Sequence, residues 1–215
     1  MGGGVPEPTR VFVVRHGETA WNVDKRIQGQ LDVPLNARGQ WQAEQLARAL
    51  AGEELAAVYS SDLQRARDTA AAVAAAAGVE LRLDAQLRER AFGRFEGRTF
   101  EEVEQRWPDE VQRWRRRDPA FDAQGGERLD AFYARSVAVA WRHAARHPAQ
   151  AIVIVSHGGV LDCLYRAAAG IELGAARTWQ VTNAAVNRLL WTPQGLSLVG
   201  WNDTAHLEGA PPEMS

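Results

Sequence analysis

Two short apolar runs constrain the fold of this chain more than anything else in it: Val11-Phe12-Val13-Val14 and Ile152-Val153-Ile154-Val155. Each is too short for an ordinary helix, and the second is β-branched throughout, the pattern of a buried strand. Further strand-like runs alternate with helical patterns along the chain. The expected fold class is therefore α/β with a mostly parallel sheet of about six strands.

The remaining elements follow from local signals. Arg10 to Arg15 is the first strand, and Asn36 caps a helix from about Ala37 to Leu50. Leu55 to Tyr59 is a strand, and Ser60-Ser61-Asp62 opens an Ala-rich helix closing near Gly78. Val79 to Leu83 alternates like a third strand. Thr99 and Glu102 form a capping-box pattern, and Pro108 suits a first helical turn. A long helix is predicted from Glu127 to His147, another from about Val160 to Ala169, and two closing strands near Ala185 to Trp191 and Leu196 to Trp201. One domain is expected over residues 10–207, with a Gly- and Pro-rich tail over 1–9 and a short C-terminal tail over 208–215.

Composition narrows the function classes. The chain is 46% hydrophobic and 24% charged with a formal charge of −2, which argues against nucleic-acid or anionic-membrane binding. Cys163 is the only cysteine, so no internal disulfide is possible. No run approaches a membrane span, and residues 1–9 lack a signal-peptide layout, so a cytoplasmic protein is expected.

Both constraining runs deliver a histidine. The first ends in Arg15-His16-Gly17, the second in Ser156-His157-Gly158-Gly159. If the strands are parallel neighbours, both imidazoles emerge at one sheet edge, where ligands of open α/β sheets bind. An aimed imidazole beside a guanidinium suggests a nucleophile next to an anion clamp. The helix N-terminus after His157 adds N–H groups that favour an anion, Gly158 among them.

From these residues outward the chain resembles the histidine phosphatase superfamily, the phosphoglycerate-mutase-like family. The resemblance is carried by Arg15-His16-Gly17-Glu18-Thr19-Ala20-Trp21-Asn22, by the stretch Gln28 to Asn36 and by Ser60 to Ala66. It continues through Leu87-Arg88-Glu89, Gly93, Glu96-Gly97 and Ser156 to Gly159, and ends with Asn202 to Leu207. It implies a three-layer α/β/α sandwich and a phosphoryl-transfer site needing no cofactor or metal. In that site His16 is the nucleophile, becoming phosphohistidine, and Arg15 and Arg65 clamp the phosphoryl group. His157 donates to a phosphoryl oxygen, and Glu89 protonates the leaving oxygen and later helps activate water. Asn22, Gln28, Gly29, Arg90 and Gly158 complete the expected substrate contacts.

Other features receive plainer assignments. His143 and His147 lie one helical turn apart but lack a third ligand, so a solvated helix face is expected rather than a zinc site. Arg113 and Arg115 to Arg117, around Trp114, read as an exposed face or a rim attracting anionic substrate. Cys163 reads as a small core residue, and the tryptophans as packing anchors, with Trp21 near the site.

The resemblance leaves two activities open. Trp114-Arg115-Arg116 and Glu89-Arg90 with Gly93 are similar to mutase substrate-binding stretches. The absence of a long insertion before His157, and Asn183-Ala184-Ala185-Val186, resemble the compact broad-range phosphatase branch. The favoured expectation is a phosphomonoester hydrolase acting on a small phosphorylated metabolite, as a monomer or homodimer. A bisphosphoglycerate-primed phosphoglycerate mutase is the alternative, and a non-catalytic phospho-ligand binder a third.

Overall fold

The computed structural model describes residues 7–209. Its elements run β1 (Thr9–Arg15), α1 (Ala20–Val23), α2 (Ala37–Leu50), β2 (Leu55–Ser60), α3 (Gln64–Ala77), β3 (Leu81–Leu83), α4 (Phe100–Arg106), α5 (Pro108–Arg115), α6 (Leu129–Ala144), β4 (Ala151–Ser156), α7 (Gly158–Ala169), β5 (Val186–Thr192) and β6 (Gly195–Asp203). The six strands form one sheet in the order β3-β2-β4-β1-β5-β6. The β3, β2, β4 and β1 pairings are parallel, while β5 runs antiparallel to both β1 and β6.

Side-chain alternation along the strands builds the two faces. Val11, Val13, Ile152 and Ile154 pack with α6 and α7, whereas Phe12, Val14, Val153 and Val155 pack with α2 and α3. Helices on both faces make three layers, and β4 at the centre is buried at every residue. A smaller cluster of Phe95, Val103, Val111 and Phe121 holds α4 and α5 together beside this core. Among the described residues no helix is long and apolar enough to cross a membrane.

Local signals set many boundaries. Asn36 Oδ1 accepts the Gly39 N–H at 2.8 Å, Thr99 and Glu102 form the expected capping box, and Pro108 is the first residue of α5. Gly78 ends α3 in the left-handed conformation.

Three expectations need correction. The N-terminal boundary falls before residue 10: Thr9 is fully buried in β1, its hydroxyl shared between the carbonyls of Ala144 and His147. Glu7 also accepts the Ala149 N–H, so of the proposed N-terminal tail only residues 1–6 lie outside the described residues. The proposed C-terminal tail is described only as far as Gly209. The long helix is shorter than predicted at both ends, spanning Leu129–Ala144.

The third correction concerns His143 and His147, which are buried rather than solvated. His143 stacks on Tyr59 with centroids 3.9 Å apart, and its Nε2 lies 2.8 Å from Asp84 Oδ2. His147 Nε2 lies 2.9 Å from the Tyr59 hydroxyl and Nδ1 is 3.0 Å from Gln150 Oε1. A tyrosine on β2 and an acid after β3 supply partners that helical spacing alone does not reveal. Among the described residues no group of three or more metal-ligating side chains is placed to hold an ion.

Candidate active site

Adjacent parallel strands place the two histidines. Arg15 pairs with Ser156 in register, and the His16 N–H donates to the Ser156 carbonyl at 2.9 Å. The chain then leaves both strands at the same edge, and the imidazoles of His16 and His157 face each other with centroids 5.3 Å apart.

His16 is held from its backbone outward. The Gly17 N–H donates to Thr69 Oγ1 at 2.9 Å, and Asn183 Nδ2 donates to the His16 carbonyl at 2.8 Å. His16 Nδ1 lies 2.7 Å from the Gly17 carbonyl. A carbonyl can only accept, so Nδ1 carries the proton and the lone pair sits on Nε2. Burial, followed by the charges of Arg65 and Arg15, pushes the His16 pKa well below the ordinary histidine value. The ring is neutral at physiological pH, as a nitrogen nucleophile must be.

His157 is fully buried, and its Nε2 lies 2.9 Å from Ser61 Oγ. Its pKa is also depressed well below the ordinary value, by burial first and then by Arg65 and His16. Arg65, at the start of α3, is 1% exposed and spans two carbonyls, donating to Gly29 at 2.7 Å and Leu31 at 2.8 Å. Burial lowers its pKa to about 10, leaving it charged at neutral pH. Arg15 donates to the Val181 carbonyl at 2.8 Å.

Three nitrogens here are buried without a hydrogen-bond partner among the described residues: Arg15 Nε, Arg65 Nε and His157 Nδ1. Unsatisfied buried donors are costly, and a cluster of them beside the neutral His16 imidazole is what a bound anion would satisfy.

Glu89 reaches this edge from the segment after β3. Its carboxylate accepts the Gly159 N–H at 2.9 Å through Oε2 and the Arg90 N–H at 2.9 Å through Oε1. A Cβ on residue 159 would stand 2.2 Å from Glu89 Oε1, so only glycine lets the carboxylate dock on α7. Glu89's charge acts on both Arg15 and Arg65.

The other expected contacts divide. Asn22 Oδ1 accepts from the Thr19 N–H and hydroxyl in a capping box, and Asn183 Nδ2 lies 3.4 Å from it. Gly29 takes a positive φ of 51° so that its carbonyl meets Arg65, while Gln28 beside it is buried with Oε1 unpartnered. Gly158 begins α7 against Arg15. Arg90 is fastened to the carbonyls of Glu127 and Phe121, so its guanidinium holds the wall of the site.

Beside the histidines opens a cleft of about 390 Å³, lined by Arg15, Glu89, Phe92, Trp114, Arg117 and Arg177 among others. Of the arginine run, Arg113 pairs with Asp118 and Arg115 with Glu104 on the surface. Arg117, at φ 52°, turns into the cleft wall, bonding Asp162 Oδ2 and the Leu173 carbonyl. Cys163 is a buried wall residue, its thiol pushed up to about 12 by burial.

Sequence reasoning assigned no role to Ser61, Thr69, Asn183 or Arg177. The first two lie within or beside the Ser60 to Ala66 stretch, and only that proximity signalled them.

The family model described as histidine phosphatase superfamily (branch 1) matches residues 11–204. Phosphoglycerate mutase-like protein 4 of Arabidopsis thaliana is 38% identical over 92% of this chain and 86% of its own length. Phosphoserine phosphatase 1 of Hydrogenobacter thermophilus is 32% identical over 92% of this chain and 94% of its own. The solved structure of Bacillus stearothermophilus YhfR superposes with a TM-score of 0.87 at 31% identity, covering 93% of this chain and 100% of that one. With both strand-end histidines in the matched span, the chain belongs to the histidine phosphatase superfamily.

Proposed function

We propose that this chain hydrolyses small phosphomonoesters through a covalent phosphohistidine on His16. The observation that carries the reading is the His16 tautomer set by the Gly17 carbonyl, which leaves Nε2 free beside the unpartnered nitrogens of Arg15, Arg65 and His157.

In the first step Nε2 attacks phosphorus and the P–O ester bond breaks, with the electron pair leaving on the alkoxide oxygen. Glu89 acts as general acid towards that oxygen, giving it the proton that water returns to Glu89 in the second step. Arg15 and Arg65 neutralise the equatorial oxygens, and His157 donates to one of them. In the second step water attacks the phosphohistidine, Glu89 takes the water's proton, and phosphate leaves with neutral His16 restored. Asn22 and the Gly158 N–H add donors, and Gly29, next to Gln28, holds Arg65 through its carbonyl.

The mutase-like name of the Arabidopsis relative favours a second reading, a bisphosphoglycerate-primed mutase. Arg115 speaks against it here, since it pairs with Glu104 on the surface rather than lining the cleft.

The test is rapid quench of the enzyme with labelled p-nitrophenyl phosphate. An acid-labile, base-stable label on His16 that turns over to inorganic phosphate is the expected result. Phosphate binding without label or turnover would show a non-catalytic binder. Phosphoglycerate isomerisation that requires bisphosphorylated primer and exceeds hydrolysis would show a mutase.

A further inference from the structure

Glu96 lies in the stretch that carries the family resemblance, yet the phosphohistidine mechanism gives it no part. It follows the short helical turn Gly93–Phe95 and is partly buried. Its Oε1 accepts two hydrogen bonds, both from the backbone: the Gln30 N–H at 3.0 Å and the Phe92 N–H at 2.9 Å. The arginines beside it in sequence are occupied elsewhere, Arg94 with Glu110 and Arg98 with the Arg94 carbonyl. A carboxylate that gathers two backbone donors from separate segments fastens those segments together through charge-assisted bonds.

The two segments are the ones that hold the reacting groups. Gln30 sits between the residues whose carbonyls receive Arg65, Gly29 at 2.7 Å and Leu31 at 2.8 Å. Phe92 is three residues beyond Glu89, and the Gln30 side chain donates back to the Glu89 carbonyl at 3.1 Å. The fit at Glu96 is close: a Cβ on residue 29 would stand 2.1 Å from Oε1, and φ there is +51°. Glycine therefore serves both the turn and the approach of the carboxylate. Neighbouring backbone bonds, Gly97 N–H to the Ile27 carbonyl and Ile27 N–H to the Arg98 carbonyl, keep the segments side by side without Glu96. What the carboxylate adds is the setting of residues 29–31 against residues 89–92.

We infer that Glu96 is a positioning residue that sets Arg65 and Glu89 relative to each other by clasping the Gln30 and Phe92 backbone. The phosphoryl clamp and the proton donor then meet one substrate in register. This inference rests on the phosphohydrolase reading above. Without the carboxylate both N–H groups lose their acceptor, and the two segments relax independently. A misplacement of about 1 Å at reacting groups costs up to about 100-fold in rate. The charge of Glu96 also acts on Arg65, so the test separates charge from geometry.

The test measures kcat/KM for phenyl phosphate and p-nitrophenyl phosphate in wild type, Glu96→Ala, Glu96→Asp and Glu96→Gln, alongside urea midpoints. The oxygen leaving from phenyl phosphate is the more basic and depends more on the proton from Glu89. Glu96→Gln keeps an oxygen with two lone pairs at the Oε1 position and should stay within about threefold of wild type on both compounds. Glu96→Ala removes the acceptor and Glu96→Asp withdraws it by one methylene. Both should lose about tenfold with p-nitrophenyl phosphate, through a displaced Arg65, and more with phenyl phosphate, so the ratio of the two compounds shifts. A merely structural loss lowers the urea midpoint and the folded fraction but leaves that ratio where it was. An unchanged ratio in Glu96→Asp and in Glu96→Ala, or Glu96→Gln as impaired as Glu96→Asp, would overturn the assignment. Should Glu96→Ala fail to fold, Glu96→Asp against Glu96→Gln carries the same comparison. Absence of phosphohistidine and of turnover with both compounds in wild type would overturn the phosphohydrolase reading instead.

Discussion

His16 and His157 sit with ring centroids 5.3 Å apart and planes tilted by 58°, both buried and both with pKa values driven well below the ordinary histidine range. Each ring is desolvated, each feels Arg65 and Arg15, and His157 also feels His16. Protonating either one adds a positive charge to a buried site that already holds Arg15 and Arg65. Both rings are therefore kept neutral by the same surroundings.

Stability should fall on the acid side as a consequence. Below the unfolded histidine pKa of about 6.5 the unfolded chain takes up protons that the folded pair refuses. Unfolded then binds more protons than folded, so unfolding free energy rises with pH below about 6.5 and levels off above it. Each such group contributes a slope of up to about 1.4 kcal/mol per pH unit. Urea midpoints from pH 5 to 8 in phosphate-free buffer should show the decline, and His157→Asn should flatten it. A midpoint independent of pH would mean that the rings charge freely in the folded protein.

Arg65→Lys tests the forked geometry rather than the charge. The guanidinium joins the Gly29 and Leu31 carbonyls while leaving Nε for the proposed phosphoryl contact, and an ammonium cannot hold all three positions. We expect kcat/KM for p-nitrophenyl phosphate to drop by about 10²- to 10³-fold, the range seen when one transition-state donor is removed. Near-native activity would show that charge alone suffices.

These two sites differ in how well the sequence announced them. His16 and His157 were legible because each follows a short apolar strand, and parallel pairing of β1 and β4 needed only that they be neighbours. Caps such as Asn36 and Thr99 were legible because every atom involved lies within three residues. Thr9 was not, since its burial depends on the carbonyls of Ala144 and His147, more than 130 residues away. Its neighbours Pro6 and Pro8 also gave the segment the look of a tail. His143 and His147 were misread for the same reason: helical spacing shows which face they share, not that Tyr59 and Asp84 cover it.

Asp84→Asn separates that buried network from the site. Asp84 Oδ2 receives His143 Nε2 at 2.8 Å and Arg142 at 2.5 Å, and Oδ1 caps the following turn through the Gln86 N–H at 2.9 Å. Replacing the acid with an amide weakens the charge-assisted contacts and sets an N–H₂ group against one donor. A loss of about 1–3 kcal/mol in unfolding free energy is expected, read from urea melts at pH 7.5. Specificity constants should stay within about threefold of wild type, a change of under 1 kcal/mol in barrier. A much larger loss of turnover with unchanged stability would place the network in the reaction.

Ser61→Ala addresses the tautomer of His157. The Ser61 hydroxyl lies 2.9 Å from Nε2 and also accepts the Leu63 N–H at 3.3 Å. If the hydroxyl donates to Nε2, the ring proton sits on Nδ1, the buried nitrogen that lacks a partner and is assigned to the phosphoryl oxygen. Alanine removes that preference, so a fraction of rings present a lone pair to an anionic oxygen. We expect kcat to fall by about tenfold, equivalent to about 1.4 kcal/mol of barrier, with KM changed far less. Ser61→Thr retains the hydroxyl and should restore most of the rate. Equal losses in Ser61→Ala and Ser61→Thr would mean that the site needs the small volume of serine, and the hydroxyl would then have no part in orienting His157.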